Sequence, residues 1–245
     1  MKLILLRHGE SKWNQENRFT GWKDVSLTEN GILEAEVSGK LLVNNNIEVQ
    51  SIHTSLLKRA TETAAIVSKI INFSIHKINY DWRLNERHYG ALQGLNKSET
   101  AAKYGEEQVK LWRRSYDVSP PFLDYNDNRH PRFDKKFQNI HENLPSGESL
   151  KDVIKRLNPF LDEYFSNLRS QGGSHLIVAH SNSLRAIVKI LDKLSNKEIL
   201  DLNIPTGVPL LYELDNDLTV LKKKYLISDK ELLKRQKIII NQGKA

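Results

Sequence analysis

Residues 2–9, KLILLRHG, place an almost unbroken aliphatic run directly before a cation, an imidazole and a glycine. A short, nearly continuous apolar run is the pattern of a strand buried on both faces, as in a parallel sheet. A second run of this kind, SHLIVAH at 174–180, also ends in histidine. Open α/β sheets bind their ligands outside the carboxyl ends of parallel strands. Two such strands ending at one sheet edge would bring His8 and His180 together although the chain separates them widely. Either histidine alone has a plain alternative as a structural residue where a strand reaches the surface. The matched pair argues for a reactive site.

Further strand-like stretches lie at 49–55 (VQSIHTS), 73–78 (FSIHKI), 208–214 (VPLLYEL) and 218–227 (LTVLKKKYLI). Between them the apolar period becomes helical. Ile32, Ala35, Gly39 and Leu42 mark one face of 28–43, with Thr28 as N-cap. Leu57, Ala60, Ala64, Val67 and Ile71 mark a face of 56–71. A longer stripe runs from Leu150 to Leu168, with a kink expected at Pro159. Strands alternating with helices predict a three-layer α/β fold, a mostly parallel mixed sheet flanked by helices. Residues 86–148 break the alternation, and 118–148 hold prolines and no sustained period. A long aperiodic stretch inside a compact domain is a lid or is disordered. The expectation is one domain over 1–245, with a capping insertion at about 86–148 and a basic tail at about 228–245.

Composition bounds the function. With 39% hydrophobic and 27% charged residues among 245, the chain has the make-up of a soluble globular protein. It has no cysteine, which removes disulfide frameworks and thiolate metal sites. No run approaches the ~20 apolar residues that span a bilayer, and MKLILL is too short for a secretory core. A cytoplasmic protein without a membrane partner is expected. Of the net charge of +7, residues 222–245 carry +6, so the body is close to neutral. A basic tail is ordinarily a solvated face, and no nucleic-acid partner is expected. Affinity for an anion must then come from positioned arginines.

Arg7 adjoins His8, and Arg59 lies in TSLLKRATETA (54–64), just after a strand. Guanidinium forks match the oxygens of a phosphate group. Beyond His180, SNSLRAIVKIL (181–191) reads as a helix whose first turn offers unpaired N–H groups to an anion. Two histidines and two arginines at one edge suit phosphoryl transfer through a phosphohistidine, in which a neutral imidazole nitrogen attacks phosphorus.

The stretches LLRHGESKWNQENRFTGWKDVSLTENG, TSLLKRATETA, DWRLNERHYGALQGLNKSETAAKYGEEQVKLWRRSYD, LPSGESLKDVIKRL, SNSLRAIVKILD and LNIPTGVPLLYELD carry a specific resemblance. The chain closely resembles the 2,3-bisphosphoglycerate-dependent phosphoglycerate mutases, isomerases of the histidine phosphatase superfamily. The resemblance runs nearly end to end and weakens in 118–143. It implies that His8 is the nucleophile, that His180, Arg7 and Arg59 hold the phosphoryl oxygens, and that Glu86 is the general acid/base. Ser11, Asn14, Thr20, Gly21, Ser181 and Asn182 are implied contacts to substrate and phosphate. Arg87, Tyr89, Lys97, Arg113 and Arg114 are implied to grip the substrate from the cap. It further implies 2,3-bisphosphoglycerate as the priming phosphoryl donor, no metal, phosphoglycerates as substrates, a role in glycolysis and gluconeogenesis, and a dimeric or tetrameric homo-oligomer.

One position departs from the family pattern. Ser181 stands where glycine usually follows the second histidine. Serine keeps the N–H and suits a helix start, so a mild perturbation is expected. The rivals are a phosphatase using the same His8, a bisphosphoglycerate mutase, and a non-catalytic polyanion binder.

Overall fold

In the computed structural model, which describes residues 1–140 and 143–241, the opening apolar run forms β1 (Lys2–Arg7), with Leu3 to Leu6 wholly buried. The chain continues through α1 (Lys12–Gln15), α2 (Glu29–Asn44), β2 (Val49–Thr54), α3 (Lys58–Ile70), β3 (Ile78–Tyr80), α4 (Lys97–Tyr104) and α5 (Glu106–Arg114). It then forms α6 (Leu150–Gln171), β4 (Ser174–Ala179), α7 (Ser181–Leu191), β5 (Leu210–Leu214), β6 (Val220–Tyr225) and α8 (Asp229–Asn241). The strands make one six-stranded sheet in the order β3-β2-β4-β1-β5-β6. The first four in that order are parallel, and β5 and β6 are antiparallel additions at one edge.

The unbroken apolar character of β1 and β4 follows from their place at the centre. Leu3, Leu5, Ile177 and Ala179 pack into one core with α6 and α7. Ile4, Leu6, Leu176 and Val178 face the opposite core, with Leu42 of α2 and Ala64 and Val67 of α3. A strand with helices on both faces has no polar side to show. β1 and β4 pair in register up to Arg7 and Ala179. The next residue of each, His8 and His180, therefore leaves the sheet beside the other.

Gly9 has a steric reason. A Cβ there would lie 2.1 Å from the carbonyl oxygen of Gly31, in the first turn of α2. Thr28 caps that helix by accepting from Gly31 N–H at 3.0 Å. The predicted face of α2 shifts because of this approach: Gly31, Ala35, Ser38, Gly39 and Leu42 are buried, whereas Ile32 is 42% exposed. Ser149 and Asp152 form a capping box at the start of α6, which continues as one helix through Pro159.

The expected strand at 73–78 forms only at its end. Ile75–Lys77 is a 3-10 turn, and pairing with β2 begins at Ile78. Alternation within a few residues does not specify an edge strand; a partner at hydrogen-bonding distance does. In the 86–148 stretch, α4 and α5 are followed by two short 3-10 turns. Single side chains anchor that second part, with Phe137 packed against Trp22 and Leu57. Residues 141–142 lie outside the described residues, as do 242–245 of the basic tail, including Lys244. The rest of the tail is α8, and its Ile239 is buried.

Replacing Gly9 by alanine forces a methyl group against a backbone oxygen that belongs to a capped helix. The expected outcome for Gly9→Ala is a destabilisation of roughly 1–3 kcal/mol, the usual scale for overpacking, read by urea unfolding. An unchanged midpoint would show that α2 moves freely there.

Candidate active site

His8 is almost fully buried, and its ring lies between two hydrogen-bonding groups of opposite character. Its Nδ1 is 2.7 Å from the Gly9 carbonyl oxygen, which can only accept, so Nδ1 carries the proton. Its Nε2 is 3.2 Å from Arg59 Nε, which can only donate, so Nε2 holds the lone pair. The imidazole is thus fixed in the tautomer of a nitrogen nucleophile. The His180 ring centroid is 5.0 Å away, with the two planes inclined at 59°.

Around the pair stands a group of buried guanidiniums held by main-chain oxygens. Arg7 Nη1 donates to Ile204 O at 2.8 Å. Arg59 donates to Gly21 O at 2.8 Å and Lys23 O at 3.0 Å. Gly21 sits at φ +53°, where glycine is favoured. Arg87 donates to Arg113 O at 2.6 Å, and its carbon stacks 4.9 Å from the Tyr89 ring centroid. Glu86 is the carboxylate among them. Its Oε1 accepts from the backbone N–H of Arg87 at 2.8 Å and of Asn182 at 3.0 Å. The first turn of α7, expected to receive a phosphate, therefore gives its Asn182 N–H to this side chain instead.

A cavity opens above this group, lined by Arg7, Asn14, Thr20, Gly21, Glu86, Tyr89, Lys97, Arg113, Arg114, Ser181 and Asn182. His8, Arg59 and His180 lie behind that lining, and Arg87 is buried beside Tyr89. Ser11 is placed differently from expectation. Fully buried, it caps α1, and its hydroxyl donates to Asn14 Oδ1 at 2.9 Å, so it positions Asn14 and does not line the cavity.

Residues given no role from the sequence also build the site. Arg185 of α7, wholly buried, donates to Asn182 Oδ1 at 2.8 Å, Ile199 O at 2.6 Å and Arg114 O at 2.9 Å. The signal was present, since a cation inside LRAIV sits on a buried helix face. Arg156 donates to Arg83 O and Asn85 O and pairs with Glu148 at 2.8 Å, while Trp22 Nε1 donates to Glu86 O at 2.5 Å. Together they hold the main chain that carries Glu86. Ile239 and Arg18 also reach the cavity. Among the described residues no group of three or more His, Cys, Asp or Glu side chains is placed to hold a metal.

Burial shapes the charges. Desolvation, then Arg59 and Arg7, hold His8 well below the ordinary imidazole value and so keep it neutral. Desolvation, then Arg59 and His8, do the same to His180. Burial pulls Lys97 far down, reinforced by Arg113, Arg7 and Arg114. Burial alone would raise Tyr89, but Arg87 beside it brings it lower. Away from the site, burial lowers His53 to about 4 and His88 to about 3.

These imidazoles link stability to pH. The unfolded chain protonates them near the ordinary value of 6.5, and the folded chain resists doing so until His53 reaches about 4 and His88 about 3. The unfolded state binds more protons across that window, so stability rises with pH and is lost as pH falls through it. The thermal midpoint is expected to drop as pH goes from about 7 to about 5, measured by circular dichroism at fixed ionic strength. A flat profile would show that these histidines take up protons as readily in the native protein as in the unfolded chain.

The sequence profile of the histidine phosphatase superfamily (branch 1) matches residues 3–124 and 122–225. A 2,3-bisphosphoglycerate-dependent phosphoglycerate mutase of Borreliella burgdorferi (strain ZS7) is 49% identical over 244 residues, 99% of this chain and 98% of that one. Its counterpart in Borreliella afzelii (strain PKo) is 50% identical over the same share. Among solved structures, a mycobacterial glucosyl-3-phosphoglycerate phosphatase superimposes with a TM-score of 0.70 at 22% identity, over 93% of this chain and 98% of that one. That likeness shows the fold alone. The chain belongs to the histidine phosphatase superfamily, and within it to the family of the 2,3-bisphosphoglycerate-dependent phosphoglycerate mutases.

Proposed function

We propose that the protein interconverts 3-phosphoglycerate and 2-phosphoglycerate, carrying the phosphoryl group on His8 between them, as an isomerase of glycolysis and gluconeogenesis. The observation that carries the reading is the Nε2 lone pair of His8, neutral and buried, facing the Arg59 guanidinium, with Arg7 also close enough to hold its value down. Buried polar atoms without partners support an anionic ligand: Arg7 Nε, Arg87 Nε and Nη1, and His180 Nδ1. Such atoms are costly unless a ligand completes them.

Bound 2,3-bisphosphoglycerate supplies the phosphoryl group that primes His8. Arg59 gives up its bond to Nε2 as phosphorus approaches, and the same guanidinium turns to the phosphoryl oxygens. The N–P bond forms while the P–O bond to the departing hydroxyl oxygen breaks, and Glu86 delivers the proton that oxygen needs. In the return direction Glu86 removes the proton from the accepting hydroxyl. Arg7, Arg59 and His180 hold negative charge that spreads over the oxygens in flight. Asn14, Thr20, Gly21, Ser181 and Asn182 border the phosphoryl end. Lys97, Arg113, Arg114 and the Arg87–Tyr89 pair hold the carboxylate and second phosphate. A simple monoester would not need that surplus of cations.

Isomerisation also requires that water stay out while the phosphoryl group is on the enzyme. α8 is suited to this, because Ile239 borders the cavity and Arg235 pairs with Glu34 at 3.0 Å. Removing residues 228–245 is expected to lower mutase turnover and raise the share of phosphoryl groups lost to water. No change in either rate would remove the tail from the mechanism.

The direct test uses labelled 2,3-bisphosphoglycerate, with a chelator present and isomer exchange followed in parallel. An acid-labile adduct on His8 and exchange that survives the chelator are expected. Release of free phosphate without exchange would favour the phosphatase rival, and chelator-sensitive exchange would overturn the scheme. The same reading places the protein in the cytoplasm as a dimer or tetramer, which light scattering checks. No helix among the described residues is long and apolar enough to cross a membrane.

A further inference from the structure

Ser55, the residue after β2, lies wholly buried against His180, the residue after β4. β2 and β4 pair in parallel up to Thr54 and Val178, which brings the two loops together. Ser55 Oγ is 2.7 Å from His180 Nε2 and accepts the Leu57 N–H at 3.1 Å. His180 Nδ1 is buried and has no hydrogen-bond partner among the described residues. The main chain of His180 is tied separately, through Ser183 Oγ at 3.1 Å.

A hydroxyl has one proton to give. If His180 carried its proton on Nε2, Ser55 would accept two N–H groups and its own proton would have nowhere to go. Nδ1 would then be an unpaired acceptor as well, leaving two buried groups unsatisfied. If Nδ1 carries the proton, Ser55 donates to Nε2 and only one buried group, the Nδ1–H donor, awaits a partner. Native interiors avoid unpaired polar groups, so the second arrangement is favoured. That remaining donor stands in the ring 5.0 Å from His8, the place where an oxyanion would be held.

We infer that Ser55 is a positioning residue: it holds His180 in the Nδ1–H tautomer and so presents an N–H donor to the oxygens of the group transferred to and from His8. The inference rests on the phosphoryl-transfer reading for its purpose, although the tautomer itself can be observed without turnover. Burial, followed by Arg59 and His8, keeps His180 neutral and so leaves it a tautomer to choose. Ser55 acts on this imidazole as a buried carboxylate or carbonyl acts on other catalytic histidines, with the proton on the opposite nitrogen.

The test is a two-bond 1H–15N correlation spectrum of the full-length protein labelled in histidine, at neutral pH and without substrate. The His180 signals are identified by their absence in His180→Gln. The wild type is expected to show a protonated Nδ1 and a bare Nε2, and Ser55→Ala to lose that preference. Phosphorylation of His8 by labelled 2,3-bisphosphoglycerate, followed over one turnover, is expected to slow roughly tenfold or more in Ser55→Ala, the usual effect of losing an imidazole's outer partner. KM should change little, and Ser55→Thr should restore rate and tautomer. A bare Nδ1 in the wild type overturns the inference, as does Ser55→Ala labelling at the wild-type rate. If the wild type never labels, the phosphoryl-transfer reading fails instead, and the spectrum still decides the tautomer. Should Ser55→Ala fail to fold, the wild-type spectrum alone decides it.

Discussion

The site depends on how buried guanidiniums are solvated. A guanidinium removed from water must find oxygens, and a carboxylate partner would cancel the charge it brings. Here the partners that Arg7, Arg59, Arg87 and Arg185 do find are mostly main-chain carbonyls, those of Ile204, Gly21, Lys23, Arg113, Arg114 and Ile199. Carbonyl dipoles stabilise the cations without neutralising them. Their field stays available to an anion, and the cost of gathering like charges is seen in the lowered values of Arg59, about 10, and Arg185, about 9, where burial is the first cause. A bound polyanion relieves both the desolvation and the mutual repulsion.

The one ion pair with both side chains buried among the described residues is Arg156–Glu148, and it stands behind the site. Glu148 also accepts the His88 N–H at 2.8 Å, so the pair brackets the main chain on either side of Glu86 and Arg87. Charge is neutralised where the backbone must be rigid and left bare where the ligand must bind. The helices and the sheet contribute stability through two hydrophobic layers, one on each face of the sheet, and the first of these also carries Ile199 and Ile204, whose carbonyls hold Arg185 and Arg7.

The cap follows from this arrangement. The 86–148 stretch is not held by a regular apolar period. Phe137 is fixed against Trp22, and Arg87 and Arg185 reach across to the carbonyls of Arg113 and Arg114. The cap is thus joined to α7 through Arg185, which lies behind the cavity and holds the carbonyl of Arg114, a residue that lines it.

Sequence alone determined the central strands, the helices α2, α3, α6 and α7 and the pairing of His8 with His180, because a strand covered on both faces leaves a continuous apolar run and a parallel pair ends at one edge. It also carried the motif residues at the cavity, through the resemblance. Tertiary structure alone decided what depends on a partner distant in the chain. The strand at 73–78 shortened to Ile78–Tyr80 because only there is β2 in reach. Ile32 turned outward because Gly9 and Gly31 had to touch. Ser11 became a cap, and Ser55, Arg185 and Arg156, given no role from the sequence although they lie in the quoted motifs, entered the site. A hydroxyl or guanidinium gains its role from the atom opposite it, and only folding supplies that atom.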